Sequence, residues 1–382
     1  MKYCQRCILP DTRPNLEIDD SGICSACHNF EYRMTINWEQ RSDLFAQVAR
    51  EAKKQSKGYD CVIPVSGGKD STWQTITCLE HGLTPLCVSW RAPGRTTIGQ
   101  RNLDNLISLG VDHIDYSINP DTERKFLLNA FLRYGATGIP MHLAMFNIPR
   151  IIAEKFRIPL VVWGENSGFE YGDSSEESRG FELTEKWLKK YGVTHGTTAW
   201  DWIDSDVTRK DLAAYLGSDQ SKASEKNIRA VFLGYYFPWD PMNTYMIAQK
   251  NGFSAPPNSR RTGWYEFADI DDEFMSIHHY MKWFKFGFTR GFDNLSIEIR
   301  HGRLTRNRAI DIARTLGDEY PESDIKAFCK LTGISSQQFL EVIEAFRNPA
   351  IWKLTGGNYR IPGFLIEDWS WCESLQRSQQ SD

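Results

Sequence analysis

The sequence of 382 residues has a formal net charge of −4, with 41% hydrophobic and 25% charged residues. At about 100–200 residues per domain, this length predicts two or three domains of ordinary globular composition. The mildly acidic balance, with a pI near 6.1, gives no electrostatic case for a protein that binds nucleic acid or a membrane surface.

The chain begins MKYCQRC without an apolar leader, and no later stretch approaches the ~18 apolar residues that a membrane span needs. We therefore expect a cytoplasmic protein with no membrane span. Nine cysteines are an odd number in a chain without a secretion signal, which argues against a disulfide framework. Five of them lie in apolar or helical settings and are expected to be small buried hydrophobes: Cys61, Cys78, Cys87, Cys329 and Cys372.

The other four cysteines have the spacing C-x2-C-x16-C-x2-C: Cys4, Cys7, Cys24 and Cys27. Two such knuckles offer four thiolates to one tetrahedral Zn²⁺, and a site closed by four sulfurs is structural rather than catalytic. Prolines, aspartates and glycines around the knuckles predict a loop-rich lobe over 1–37. The alternative is four reduced cysteines that share this register by chance.

Strands and helices alternate after a polar helix predicted over 38–57. Strands are predicted at 61–65, 86–90, 113–117 and 160–163, and helices at 70–81, 98–109, 123–134 and 141–156. This alternation predicts an α/β fold with a parallel sheet and flanking helices. In such sheets, ligands bind at the carboxyl ends of the strands.

The first strand runs directly into the sequence SGGKDS. Ser66, Gly67 and Gly68 permit a tight turn in which backbone N–H groups converge, and the helix that follows adds its positive end, so the turn predicts an anion site. Lys69 is followed by Asp70 where a Walker A loop requires Ser or Thr. A carboxylate in a phosphate site is explained if Mg²⁺ lies between the two, so we expect Asp70 to be a magnesium ligand.

SGGKDS at this position resembles the loop of the PP-loop ATP pyrophosphatases, the HUP-like adenine nucleotide α-hydrolase superfamily. Further segments are similar to the N-acetyl sugar amidotransferase family of the WbpG and PseA type: CQRC with GICSAC, TTIGQRNLDNL, VVWGENSGFEYG, FLGYYFPWD, HHYMKWFKFG and IEIRHGRLTR. The loop specifies the superfamily only, whereas the knuckles together with GENSGFEYG and HHYMKWFKFG are the family-level signal.

The resemblance implies an ATP-dependent enzyme that turns an acetamido group of a nucleotide-activated sugar into an acetamidino group for surface or flagellar glycans. The amide oxygen would attack the α-phosphorus of ATP, giving pyrophosphate and an O-adenylyl imidate, and ammonia would then displace AMP. The chain shows no recognisable glutaminase. The resemblance therefore implies a separate glutaminase and an ammonia-channelling partner.

The resemblance also assigns the site residues. Ser66, Gly67, Gly68 and Ser71 would hold pyrophosphate, Lys69 would neutralise developing charge, and Asp70 with Glu165 of the Gly164–Glu165 pair would hold Mg²⁺. Glu165 directly follows the fourth strand, so we expect it to face Asp70 across the same edge of the sheet; the alternative is a helix-start or loop carboxylate. Ser89 and Trp90, at the end of the second strand, would lie beside the adenosine, although Trp90 has the alternative of a core aromatic.

Basic residues of the C-terminal third have two readings. In the first, Lys282, Lys285 and Arg290 reach pyrophosphate or a sugar carboxylate, and Lys285 is a catalytic candidate. In the second, the three residues form a solvated basic face. Arg300, Arg303 and Arg306 have a similar alternative as the outer face of a helix, and His278 and His279 are expected to be structural.

The predicted domains are a zinc-binding lobe over 1–37, a PP-loop domain over 38–268 with a possible insertion at 174–220, and a helical domain over 269–382. Helices are expected at 309–316, 322–331 and 335–346, followed by a frayed tail. Two other functions remain open. The first is a tRNA thiolase, which uses the same loop but needs exposed catalytic thiols and a basic face for tRNA. The second is a non-catalytic nucleotide-binding protein.

Overall fold

The computed structural model describes residues 1–217 and 228–371. Its centre is a five-stranded sheet in the order β3-β2-β1-β4-β5, and every neighbouring pair is parallel. The strands are β1 Cys61–Pro64, β2 Pro85–Trp90, β3 Asp112–Tyr116, β4 Leu160–Trp163 and β5 Arg229–Phe232. The predicted α/β class is confirmed, and β5 is a strand that the sequence analysis missed.

Helices flank the sheet on both faces. They are α1 Ser25–Arg33, α2 Trp38–Gln55, α3 Lys69–Glu80, α4 Thr97–Ile107, α5 Pro120–Tyr134, α6 Gly138–Phe156, α7 Ser167–Glu170, α8 Glu176–Arg179, α9 Glu185–Tyr191, α10 Leu233–Tyr236 and α11 Pro241–Lys250. The predicted helices and strands of this region all occur, with their ends shifted by up to three residues.

The sheet is apolar on both faces because its short strands are covered on both sides. Val62 lies in the cluster formed with α5 and α6. Ile63, the next residue, lies in the opposite cluster with Phe45 of α2 and Leu103 of α4. The strand order reverses between β1 and β4, so the loops after these two strands diverge and leave a crevice at their carboxyl ends. The SGGKDS loop follows β1, and Glu165 follows β4.

The C-terminal region is helical: α12 Phe274–Phe286, α13 Arg290–Arg300, α14 Arg306–Leu316, α15 Glu322–Thr332 and α16 Ser336–Ala345. A short antiparallel hairpin, β6 Lys353–Thr355 and β7 Asn358–Arg360, follows the last helix. The core of these helices also takes in Ile8 of the N-terminal lobe and Phe131 of α5. The C-terminal helices therefore pack against both the N-terminal lobe and the sheet region.

The segment predicted as a possible insertion packs against the sheet domain, since Trp187, Trp202 and Tyr215 are buried in the cluster with α5 and α6. Its last three residues, 218–220, lie outside the described residues. Cys372 and the tail predicted to fray also lie outside them. Across the described parts of the chain, no helix is both long and apolar enough to cross a membrane.

Candidate functional site

The loop after β1 is shaped for close approach of an anion. Gly67 has φ +88°, in the left-handed region, and a Cβ there would lie 2.5 Å from the backbone nitrogen of Leu103 in α4. Gly68 is the N-cap of α3 and supplies no side-chain cap, while its own N–H donates to Ser66 Oγ at 3.2 Å. The first N–H groups of α3 have no partner within their own helix, which makes this end an anion site. The Ser71 hydroxyl donates to the Gly68 carbonyl at 3.0 Å.

Lys69 and Asp70 lie side by side at the start of α3. Lys69 is buried, and its ammonium group pairs with Asp70 Oδ2 and lies 5.6 Å from the ring centroid of Trp239. Asp70 Oδ1 accepts the indole N–H of Trp239 at 2.9 Å and the hydroxyl of Thr244 at 3.1 Å. The Asp70 carboxylate is thus held on one side by fixed donors while its side chain stays 30% exposed.

The sequence analysis missed Trp239 and Thr244. They belong to the FPWDPMNT segment, where Asp240 caps α11 by accepting from Met242 N–H at 3.0 Å, and α11 packs along α3. A tryptophan just before an Asp-Pro helix start was the available signal, but only the packing of α11 on α3 brings it to Asp70.

Glu165 faces Asp70 across the crevice, as predicted from the positions of their strands. Burial and the charge of Asp70 raise the pKa of Glu165 to about 7. In the amide orientation that satisfies both groups, Gln74 accepts from Gly164 N–H at 2.6 Å and donates to the Asp70 carbonyl at 3.3 Å. Two half-buried, mutually repelling carboxylates beside a phosphate-type loop are hard oxygen ligands that a divalent cation would stabilise.

A second acidic segment, 269–272, borders the same loop and was not foreseen. Asp271 hydrogen-bonds Ser66, while burial raises the pKa of Asp271. Its carbonyl accepts from Thr96 N–H at 3.0 Å, which fixes the segment against α4. Asp269 has φ +56° and accepts from Arg290 Nε at 3.2 Å. The segment therefore joins the C-terminal helices to the phosphate loop.

Ser89 and Trp90 end β2 as predicted, but their side chains point to opposite faces of the sheet. The Ser89 hydroxyl is buried and donates to Asp115 Oδ1 at 2.8 Å, so it is engaged within the protein. The Trp90 indole N–H donates to Glu123 Oε1 at 2.5 Å. Trp90 also lines a small pocket together with Leu127, Pro140, Tyr215, Asp272 and Phe274.

This pocket has an unusual polar lining. Burial raises the pKa of Glu123 and of Asp272 to about 7 each, and the buried hydroxyl of Tyr215 has no hydrogen-bond partner among the described residues. The lining contains no lysine or arginine. It therefore suits an uncharged part of a ligand that can exchange hydrogen bonds with carboxyl and hydroxyl groups.

The predicted basic residues Lys282 and Lys285 are engaged in contacts within the protein. Lys285 Nζ donates to the Tyr134 carbonyl at 2.5 Å and lies 5.3 Å from the ring of Phe346, and burial lowers its pKa to about 8. Lys282 donates to the fully buried Asp293 at 2.8 Å. Both lysines thus make contacts within the helical region, and neither forms part of a solvated basic face.

The other predicted cations are also paired or buried. Arg290 bridges Asp269 and the Tyr171 hydroxyl, the latter at 3.2 Å. Arg303 pairs with Glu298 and Asp240. The three arginines predicted on one outer helix face fall on different elements, because α13 ends at Arg300 and α14 begins at Arg306.

The four N-terminal cysteines converge. All are buried, and their sulfurs lie within 4.8 Å of one another. Cys4 Sγ accepts N–H groups from Cys7 at 3.4 Å and from Cys24 at 3.3 Å, and Arg306 donates to the Cys7 carbonyl at 3.1 Å. Four close thiols with backbone N–H donors fit a tetrahedral metal ion of the zinc type.

The comparisons with known proteins bear on the C-terminal region. Residues 259–362 match the family described as "LPS biosynthesis protein WbpG-like, C-terminal domain", which confirms the resemblance over this segment. The chain matches no curated protein.

Two solved structures are similar to the chain. NMN synthetase from Francisella tularensis is 11% identical in sequence, with a TM-score of 0.32, and the match covers 70% of this chain and 94% of the synthetase chain. NAD⁺ synthetase from Burkholderia pseudomallei is 15% identical, covers 56% and 85% respectively, and has a TM-score of 0.25. At these scores the likeness carries no argument about this chain.

Proposed function

We propose that this protein is an ATP-dependent, AMP- and pyrophosphate-forming amidotransferase. It converts an acetamido group of a nucleotide-activated sugar into an acetamidino group in the cytoplasm, for a surface or flagellar glycan. One observation carries the proposal: Asp70 and Glu165 face each other across the crevice between β1 and β4, beside a glycine loop that opens a helix. The match of residues 259–362 to a domain of a lipopolysaccharide biosynthesis protein supports the sugar substrate.

The phosphate loop binds the β and γ phosphates of ATP. N–H groups at the start of α3 point to the anion, Gly67 lets the backbone approach it, and the Lys69 ammonium group adds a positive charge. Asp70 and Glu165 would hold Mg²⁺, which when bound would neutralise phosphate charge. Trp239 and Thr244 fix Oδ1 of Asp70. Oδ2, which pairs with Lys69 in this structure, would be the oxygen for the metal once the Lys69 ammonium group turns to the phosphates.

The chain then positions the acceptor amide for attack. Its carbonyl oxygen forms a bond to the α-phosphorus, the bond from that phosphorus to the pyrophosphate oxygen breaks, and the amide N–H proton leaves. Ammonia then attacks the imidate carbon of the resulting O-adenylyl imidate. AMP leaves and carries with it the oxygen of the original amide carbonyl. The product amidine retains a proton at neutral pH. Positioning and charge stabilisation are the protein's main contributions.

The pocket beside Trp90 receives an uncharged part of the substrates. Since no lysine or arginine lines it, it does not suit the diphosphate of the nucleotide sugar. A base or a sugar ring can pack on the apolar residues and hydrogen-bond to Glu123, Asp272 and Tyr215. The adenosine predicted beside Ser89 and Trp90 is the first candidate.

Ammonia comes from outside the chain. All eight cysteines that the structure describes are buried, so none is presented to solvent as a glutaminase nucleophile. We therefore assign glutamine hydrolysis to a separate glutaminase and transfer of ammonia to a channelling partner. The same burial disfavours a tRNA thiolase, which needs accessible thiols. The cysteine lobe holds one structural Zn²⁺.

The test is the fate of ATP in the presence of ammonium and nucleotide diacetamido sugars. We expect AMP and pyrophosphate, formed in proportion to the amidine. Asp70→Asn should lose most of this turnover while the fold persists, and Asp20→Asn, at an exposed position of the lobe, is the matched control. Formation of ADP and phosphate would overturn the assignment of the loop.

A further inference from the structure

Arg33, the last residue of α1, lies behind both candidate magnesium ligands. Its side chain is buried, and its Nη1 lies 3.0 Å from each carboxylate oxygen of Glu170. Its Nη2 donates to the carbonyl of Trp239. One guanidinium group therefore joins the segment after β4 to the segment before α11.

Each of these contacts leads to one carboxylate of the crevice. Trp239 donates its indole N–H to Asp70 Oδ1 at 2.9 Å. Glu170 is the last residue of the short helix α7. Its backbone N–H donates at 3.0 Å to the carbonyl of Asn166, which directly follows Glu165 in the chain. A shift of Arg33 would thus move the supports of Asp70 and Glu165 together.

The rest of α1 grips the same segment. Asn29 Nδ2 donates to the carbonyls of Phe169 at 3.0 Å and Asp173 at 2.8 Å, and the Ser25 hydroxyl donates to the Gly172 carbonyl. Gly172 has φ +110°, and a Cβ there would lie 2.9 Å from that of Ala26. The helix and the segment are therefore in contact without room for a side chain at this point.

The start of α1 is set by the cysteine lobe. Cys24 is its N-cap, Cys27 lies in its first turn, and both sulfurs belong to the cluster that fits a metal ion. A nine-residue helix thus connects that cluster to Arg33, and a helix this short depends on tertiary contacts for its stability. Here the cysteines fix one end and the Arg33 contacts fix the other.

We propose that Arg33 is a positioning residue that sets the separation of Asp70 and Glu165 for the metal-bound nucleotide, and that the cysteine lobe is a supporting part of the nucleotide site. This inference rests on the assignment of those two carboxylates in the proposed function. Arginine is required because its planar fork serves a carboxylate and a carbonyl at once, whereas a lysine ammonium cannot span the two in fixed geometry.

The experiment compares Arg33→Met and Arg33→Lys with the wild-type protein. The readout is the Mg²⁺ dependence of ATP binding, followed by calorimetry, together with zinc content and melting temperature. We expect the half-saturating Mg²⁺ concentration to rise by about tenfold or more in Arg33→Met, the size typical for lost support of a metal ligand. Arg33→Lys should show a smaller rise, and zinc content should be unchanged in both variants.

Arg347→Met is the matched control, because Arg347 also has a largely buried side chain that pairs with a carboxylate, that of Glu344 at 2.6 Å, and its guanidinium lies over the ring of Trp352. These contacts lie within the C-terminal helical region. A wild-type Mg²⁺ dependence in folded, zinc-containing Arg33→Met would overturn the inference. If Arg33→Met fails to fold, the Mg²⁺ dependence of ATP binding is measured in Arg33→Lys and Asn29→Ala instead. A wild-type dependence in both of these variants would then overturn the inference.

Binding is read without turnover, so this result is separable from the proposed reaction. A protein that binds Mg²⁺ and ATP but never releases AMP would refute the proposed function, and the effect of Arg33 on Mg²⁺ dependence would still be measurable.

Discussion

Gly67→Ala tests whether the loop after β1 is shaped by close approach to α4. A methyl group at this position would lie 2.5 Å from the nitrogen and 2.7 Å from the Cα of Leu103, both backbone atoms, whereas ordinary contact begins at 3.4 Å. The loop must therefore retreat by almost 1 Å, and a misplacement of about 1 Å at a reacting centre costs roughly a hundredfold in rate. We expect a loss of about that size in the rate of ATP cleavage.

Because Gly67 has a positive φ, an alanine there also strains the backbone and lowers stability. The variant Gly110→Ala separates this backbone strain from the steric clash with α4. Gly110 has φ +93°, close to the +88° of Gly67, but a methyl group there would meet nothing within 4 Å. An L-residue in this region costs about 1–2 kcal/mol, so for a chain of 382 residues both variants should lose roughly 1–3 °C in melting temperature. Only Gly67→Ala should lose activity. Equal activity in the two variants, measured by pyrophosphate release, would refute the close-approach argument.

Three further predictions follow from the site. Purified protein should contain one tightly bound Zn²⁺, and Cys24→Ser should lower the melting temperature more than it alters nucleotide binding, as metal analysis and thermal denaturation can show. Because the pKa of Glu165 is raised to about 7, protons compete with Mg²⁺ for this carboxylate as the pH falls. The half-saturating Mg²⁺ concentration should therefore rise as the pH is lowered from about 8 to about 6, and Glu165→Gln should remove this pH dependence. The isolated chain should use ammonium but not glutamine, with a rate that climbs as pH rises; efficient glutamine use by the purified chain without a second subunit would contradict this prediction.

The parts of the fold that depend on local pattern were predictable from the sequence. The three apolar strands β1, β2 and β4, the glycine loop and the cysteine spacing each have a local signal in the sequence. Because parallel strands end at one edge of a sheet, the meeting of Asp70 and Glu165 also followed from strand positions alone. β5, Arg229–Phe232, was missed because it begins with an arginine and lies just after a polar stretch, so its apolar run is shorter than those of β1 and β4.

The parts that depend on packing between distant segments were not predictable. Trp239 reaches Asp70 only because α11 packs on α3, and Asp271 reaches Ser66 only because its segment crosses α4. The periodicity of HHYMKWFKFG placed Lys285 on a helix but could not show which neighbour it faces, and it proved to face Tyr134 and Phe346. The support given by Arg33 has no local signal, since its partners lie 137 and 206 residues away.

The most direct test of the central claim is to follow the oxygen of the acceptor's acetamido group. A nucleotide sugar labelled with heavy oxygen at that carbonyl is incubated with the protein, ATP, Mg²⁺ and ammonium, and the released nucleotide is analysed by mass spectrometry. Attack of the amide oxygen on the α-phosphorus predicts that the label appears in AMP, one labelled AMP for each amidine formed. Label that stays in the sugar or passes to water, or release of ADP in place of AMP, would contradict the account.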